Sequence, residues 1–146
     1  MAVDVESDIV IDRPITEVAA YASNPDNVPN WYTNISRVEW KSEPPVKVGS
    51  RIAFVAHFLG RTLNYTYEIV EWTPNERFVM RTAQGPFPME TTYRWEEAGE
   101  GKTRMRLRNR GEPSGFASIA RPFMERAMRS ANKKDLAALK RTLESA

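Results

Sequence analysis

Cysteine is absent from the sequence of 146 residues, and histidine occurs once, as His57. The lack of cysteine excludes disulfides, thiolate metal sites and cysteine nucleophiles. A single histidine leaves little scope for a metal site built on imidazoles or for a catalytic triad of serine, histidine and aspartate. We therefore expect neither a bound metal nor a cofactor.

Neither sign of charge dominates the chain, and no long apolar run is present. Lys and Arg total 21 against 19 Asp and Glu, a net charge of +2, so the composition gives no global attraction to nucleic acid or to anionic membranes. No uncharged stretch approaches the ~20 residues of a membrane span. The acidic residues 1–8 lack the apolar region of a signal peptide. We expect a cytoplasmic protein without integral membrane association; its oligomeric state stays open.

Apolar residues are sufficient for a core, at 41% of the chain. No linker rich in serine or glycine divides the sequence, so a single domain over residues 1–146 is expected. The segment from Val3 to Ile11 alternates as a half-buried first strand, and Val38 and Trp40 mark a second.

The segment from Arg51 to Gly111 alternates so regularly that it predicts five consecutive strands. Its outward positions are largely charged or polar. Its inward positions carry aromatic rings, methionines and a few polar groups, among them Phe54, Phe58, Tyr65, Tyr67, Met80, Met89, Thr91, Tyr93 and Asn109. Glu71 is also inward by parity, at the end of a strand.

The first hairpin of this segment is predicted to turn at Gly60–Arg61, as a type II′ turn with glycine first. That turn pairs Phe58 with Leu63 on the inner face, Phe54 with Tyr67, and His57 with Asn64 on the outer face. The outward register makes His57 a surface histidine rather than a catalytic base.

Proline and asparagine mark the helices. Pro14 suits the first turn of a short helix, and Asn24–Pro25 signals a second that ends near Pro29. A long helix starts or kinks at Pro122, with Phe123 near its beginning. Its apolar stripe at helical spacing comprises Met124, Met128, Ala131, Leu136, Leu139 and Leu143.

Taken in order, these elements resemble the START-like helix-grip superfamily (SRPBCC), in particular its polyketide cyclase/dehydrase and lipid-transport branch. The resemblance covers nearly the whole chain. It rests on Arg13–Pro14 with Val18, on Asn24–Pro25 with Pro29–Asn30–Trp31, on Val48–Gly49–Ser50–Arg51, on Gly101–Lys102–Thr103–Arg104, and on residues 135–140 in the terminal helix. The implied class is α+β, a helix-grip (Bet v 1-like) fold with a seven-stranded curved antiparallel sheet, two short helices and one long C-terminal helix.

The resemblance also implies that the first and last strands are neighbours, which bears on an arginine ladder. Four arginines alternate on the outer face of the last strand, at positions 104, 106, 108 and 110. They could track the phosphates of a nucleic acid. Alternatively, they are a solvated face neutralised by Asp4, Glu6, Asp8, Glu90 and Glu96. We favour the second interpretation and expect no nucleic acid partner.

A curved sheet covered by one helix is difficult to fill with side chains, which predicts a cavity for a small hydrophobic molecule such as a lipid, a polyketide or an aromatic compound. An ordinary core is the alternative. Trp31 and its neighbour Tyr32 either gate the entrance or anchor the short helix. The predicted ligand-binding residues are Trp31, Trp40, Phe54, Phe58, Tyr65, Tyr67, Met80, Met89, Thr91, Tyr93, Asn109, Phe123, Met124 and Met128.

Catalysis is the less favoured hypothesis, because the middle of the inner face of the sheet shows no Asp, Glu, His, Lys or Arg. A cyclase or dehydratase could still use a positioned tyrosine with Asn109. A protein-interaction module is a third class, and it predicts an exposed apolar patch that the charged outer positions do not show. Binding without catalysis is therefore the leading hypothesis, and the catalytic residues stay unassigned.

Overall fold

The chain is described by a computed structural model over residues 2–113, 116 and 119–145. Its strands are β1 (Val3–Ile11), β2 (Ile35–Trp40), β3 (Arg51–Phe58), β4 (Arg61–Thr73), β5 (Arg77–Gln84), β6 (Met89–Gly99) and β7 (Lys102–Gly111). Its helices are α1 (Ile15–Ala22), α2 (Val28–Trp31) and α3 (Arg121–Glu144), with a 3₁₀ turn over Pro25–Asn27 before α2. The five consecutive strands predicted after Arg51 are confirmed.

The seven strands found among the described residues form one curved antiparallel sheet in the order β1-β7-β6-β5-β4-β3-β2. Each consecutive pair from β2 to β7 is a hairpin, and β1 closes the far side against β7. The helix-grip architecture is thereby confirmed. Among the described residues, no helix is long and apolar enough to cross a membrane.

Opposite charges line the outer face where β1 meets β7, as predicted. Asp4 lies opposite Arg110 and reaches diagonally to Arg108, whose Nε donates to Asp4 Oδ1 at 2.8 Å. The next strand contributes Glu96, which accepts from Arg106 Nη2 at 2.8 Å. Further pairs join Arg106 to Glu6, Arg104 to Asp8 and Arg110 to Glu90. Apart from Glu90, which is largely shielded, these side chains are exposed, so each exposed pair contributes at most about 1 kcal/mol and mainly helps to fix the pairing of the strands.

The first hairpin turns one residue earlier than predicted. Phe58 pairs with Arg61, so the two turn residues are Leu59 and Gly60, with φ of 49° and 78°. Two positive φ values define a type I′ turn, whose twist suits a hairpin. The pairing partners therefore shift by two residues: Phe54 lies opposite Tyr65 and His57 opposite Thr62. A shift of two leaves every side chain on its predicted face.

Glu71 does not point inward. The ladder between β4 and β5 has an irregularity between Ile69 and Glu71, which reverses the parity of the strand at this point. Its carboxylate is exposed and forms an ion pair with Arg77, with 3.2 Å between Glu71 Oε1 and Arg77 Nε. The inward assignment of Glu71 was therefore wrong.

The helix starts follow the sequence signals, but α2 extends further than predicted. The Asn24 side chain accepts a hydrogen bond from the backbone N–H of Asp26 at 3.0 Å and caps the 3₁₀ turn that leads into α2. The helix ends at Trp31, beyond the expected end near Pro29. At the other end of the chain, Pro122 occupies the first turn of α3.

The core between the sheet and α3 consists of two clusters. One packs around the C-terminal half of α3 and contains Trp31, Tyr93, Trp95, Met105, Leu136 and Leu139. The other packs around the N-terminal half of α3 and contains Tyr65, Phe87, Met89, Phe116, Met124 and Met128. Both are buried, so the interior is apolar toward each end of the helix.

Leu59 is the residue whose replacement should stabilise the fold. The left-handed backbone conformation at this position is unfavourable by about 1 kcal/mol for leucine, and asparagine largely avoids this penalty. We expect Leu59→Asn to raise the free energy of unfolding by about 0.5–1 kcal/mol in urea denaturation. Val48→Asn is the control, since Val48 is also exposed but has no positive φ. Equal effects of the two substitutions would contradict the turn assignment.

Candidate ligand-binding cavity

A cavity of about 130 Å³ lies between the concave face of the sheet and the N-terminal half of α3. Half of the residues in the wall are aromatic residues or methionines, and most of the others are also apolar. The rings are those of Tyr32, Phe54, Phe58, Tyr65, Tyr67, Phe87 and Phe116, and the methionines are Met80, Met89, Met124 and Met128. The main contacts of α3 are with β1 and α2, and the cavity lies between α3 and the inner face of β3, β4 and β5.

Most residues predicted to bind the ligand line this cavity. The sheet contributes Phe54, Phe58, Tyr65, Tyr67, Met80, Met89, Thr91 and Asn109. The helix contributes Met124 and Met128. Their role in binding stays a prediction, because the arrangement establishes only that they share one wall.

The other four predicted residues lie outside the wall. Trp31 and Tyr93 face inward but are almost fully buried in the solid cluster at the C-terminal half of α3, with ring centroids 5.6 Å apart. Trp40 is at the rim of the fold, where its Nε1 donates to Asp26 at 2.7 Å. Phe123 is 64% exposed, because it lies on the side of α3 that faces away from the sheet. Trp31 is thus an anchor of α2, whereas its neighbour Tyr32 reaches the cavity.

The side of the cavity nearest solvent lies between β2–β3 and α3. The half-buried lining residues on this side are Asn34 just before β2, Ile35 at its start, Phe58 at the end of β3 and Ala131 on α3, and Tyr67 and Asn109 are half buried elsewhere in the wall.

A chain of polar side chains crosses the cavity wall from the sheet to α3. Thr91 Oγ1 donates to Asn109 Oδ1 at 2.6 Å, and Asn109 Nδ2 donates to Asn132 Oδ1 at 3.0 Å. Asn132 is 5% exposed, and its Nδ2 has no hydrogen-bond partner among the described residues. A buried donor without a partner is unfavourable by about 1–3 kcal/mol, so this amide can gain from an acceptor on a guest.

The tyrosine hydroxyls near the cavity are neutral at physiological pH. Burial raises the pKa of Tyr67 to about 12, although a hydrogen bond with Thr91 opposes the rise. The hydroxyls of Tyr32 and Tyr93 are 2.7 Å apart, and burial raises the pKa of both well above the usual range. They can orient a guest or donate a hydrogen bond to it, but they are poor bases.

Asp135 on α3 is the one ionisable side chain other than tyrosine in the cavity wall, within the part of the chain that the structure describes. It is 2% exposed. Its Oδ1 accepts from the backbone N–H of Thr33 at 2.9 Å and from the Thr33 hydroxyl at 3.1 Å. Burial raises the pKa of Asp135 to about 6, although the bonds from Thr33 counteract this. The cavity therefore holds a carboxyl group that titrates near neutrality.

The sequence did not lead to a prediction of Asp135 and Asn132 as wall residues. Polar wall residues were predicted only on the strands, and α3 was interpreted only through its apolar stripe. The two residues are three apart, so they lie on one face of the helix, next to Met128 and Leu136. Two polar residues inside an otherwise apolar helical stripe were the available signal.

His57 lies on the outer face of the sheet and does not line the cavity. It is exposed on the outer face, where its ring nitrogens lie 3.1 Å from Ser36 Oγ and 3.3 Å from Thr62 Oγ1. Within the described residues, no cluster of three or more His, Asp or Glu side chains could hold a metal ion.

The raised pKa of Asp135 makes stability depend on pH. The folded state binds this proton more tightly than the unfolded state, whose pKa is near 3.8, so stability falls as pH rises from about 4 to 6. We expect Asp135→Asn to raise the free energy of unfolding at pH 7.5 by up to about 3 kcal/mol, and much less at pH 4.5. Urea denaturation at the two pH values measures this. A gain that is the same at both would contradict the assignment.

The fold matches several solved structures at low sequence identity. A START superfamily protein from Mycobacterium smegmatis aligns with a TM-score of 0.83 at 14% identity, covering 97% of both chains. An aromatase/cyclase from Streptomyces sp. R1128 aligns with a TM-score of 0.81 at 14% identity, covering 99% of this chain and 94% of that one. The major latex-like protein 151 of Panax ginseng aligns with a TM-score of 0.71 at 16% identity, over 99% and 96%. These similarities establish the fold.

The family is established by the sequence itself. Comparison with curated proteins gives no significant match. Residues 2–144, however, match the model of a family described as polyketide cyclase / dehydrase and lipid transport. Because that match spans nearly the whole chain, this protein belongs to the polyketide cyclase / dehydrase and lipid-transport family of START-like helix-grip proteins.

Proposed function

We propose that this protein binds a small, largely apolar molecule about the size of one aromatic ring, with a polar group at one end. The observation that carries the proposal is the composition of the cavity. Aromatic, methionine and other apolar side chains form most of the wall, whereas Thr91, Asn109, Asn132 and Asp135 gather on the side where β6 and β7 face α3. Apolar walls with a few convergent polar groups are typical of small-molecule sites.

The volume supports a guest of this size. An apolar cavity of about 150 Å³ is known to accept benzene, and this cavity measures about 130 Å³. An empty cavity of that volume is unfavourable by about 3 kcal/mol, at about 24 cal/mol per Å³. Filling it therefore favours binding before any hydrogen bond is counted. Methionine side chains adapt to guests of different shape, which suits a site that accepts related compounds.

A cyclase-type reaction is the second candidate, and Asp135 is the observation that favours it. A general base works best when its pKa is near the working pH, and the pKa of Asp135, about 6, meets this condition. The family includes cyclases and dehydrases, and one structural neighbour is named an aromatase/cyclase. The small cavity, however, favours binding of one ring over folding of a long polyketide chain.

Ligand binding is tested by filling the cavity. Benzyl alcohol at 100 times its Kd should stabilise the protein by about 2.7 kcal/mol in thermal denaturation. Ala131→Leu places extra methylenes in the cavity and should abolish that stabilisation while leaving the free protein folded. Ala127→Leu is the matched control on the same helix, outside the wall. The proposal fails if benzyl alcohol stabilises neither the wild type nor the control, or if it stabilises Ala131→Leu equally.

The cyclase candidate has its own test. Incubation with a linear poly-β-ketone should give cyclised product, and Asp135→Asn and Asn109→Ala should each lower the rate roughly 100-fold or more, with circular dichroism unchanged. His57→Ala is the control, since His57 lies on the outer face. Turnover that survives in both cavity variants would remove these two assignments.

A further inference from the structure

The cavity wall carries negative charge without a balancing positive charge, within the described residues. Asp135 contributes a buried carboxyl group, and no Lys, Arg or His lines the wall in the described part of the chain. The described donor to this carboxyl group is Thr33, and both of its bonds end on Oδ1. Oδ2 has no described partner. A buried carboxylate without a counter-charge is unfavourable, and a cation brought by a guest would relieve it.

The rest of the wall suits a cation as well. The faces of aromatic rings attract positive charge, and several rings enclose this cavity. The titratable groups that face Asp135 from other elements are Tyr32 at the end of α2 and Tyr93 on β6, and burial keeps both neutral. On α3 itself the neighbouring polar side chain in the wall is Asn132, which carries no charge. A guest carboxylate would meet repulsion from Asp135 with no cation to balance it.

We infer that the cavity selects a small ring-bearing amine in its cationic form, with the ring among the aromatic and methionine side chains and the ammonium group on Asp135 Oδ2. This inference rests on the proposed function and specifies its ligand class. Such a cavity binds the amine more tightly than a neutral alcohol of the same shape or a carboxylate. The apolar wall alone would not discriminate among these three compounds.

Benzylamine and benzyl alcohol are suitable probes because they differ only in the amino and hydroxyl groups. Isothermal titration at pH 7.5 should give a Kd for benzylamine at least tenfold lower than that for benzyl alcohol, with benzoate the weakest of the three. In Asp135→Asn the ratio of the two Kd values should fall to about one. Glu125→Gln removes one negative charge from the same helix, outside the cavity wall, and should keep the wild-type ratio.

The pH dependence is a second readout. Benzylamine stays protonated from pH 5 to pH 8, whereas Asp135 ionises across this range. The affinity of the protein for benzylamine should therefore rise about tenfold between these pH values. That for benzyl alcohol should not rise. Equal Kd values for the two probes in the wild type would overturn the inference while leaving the proposed function intact. If neither benzylamine nor benzyl alcohol binds, the inference and the proposed function are both overturned.

Discussion

The structure depends on a mismatch between one helix and the width of the sheet that it covers. A sheet of seven strands presents a concave apolar face, and α3 packs along the β1 edge of it. The C-terminal half of the helix fills its side of the interior with large side chains, including Leu136, Leu139 and Leu143. Around the N-terminal half the interior is filled less completely, and the cavity is the space that remains.

The position of the cavity follows from which side chains meet at each end of α3. Trp31, Tyr93 and Trp95 pack closely near the C-terminal half of the helix, where α2 adds a further layer. Around the N-terminal half, the unbranched side chains of Met124 and Met128 face the rings of Tyr65 and Phe87. The polar residues Asn132 and Asp135 lie at the boundary between the two regions, so the cavity is apolar toward the hairpin and polar toward the helix middle.

Alternation along the strands was sufficient to predict much of this arrangement. It separates inner from outer side chains by parity, which is why most of the wall could be predicted. The charge pairs between β1 and β7 also needed the family resemblance, because only the resemblance implied that these two strands are neighbours. Parity cannot detect a shift of two residues, so the hairpin partners of Phe54 were wrong while its face was right. It also fails at an irregularity in a strand, as Glu71 demonstrates.

Alternation cannot predict how deeply an inner side chain is buried or whether a helix packs directly over it. Tyr93 and Tyr67 share an inner face, yet one is in the solid cluster and the other is in the cavity wall, because the space over each depends on where the helix crosses. The same holds for Asp135, whose role depends on the rotation of α3 about its axis and on the loop that brings Thr33 to it. Such features depend on packing between elements distant in sequence.

The central claim is that an accessible apolar space exists between the sheet and the N-terminal half of α3. Crystals of the protein exposed to xenon test it directly, since xenon enters apolar cavities without needing a hydrogen bond. The account predicts anomalous density for xenon among Tyr65, Met89 and Met124. A structure in which these side chains contact one another and no xenon lies between them would contradict it.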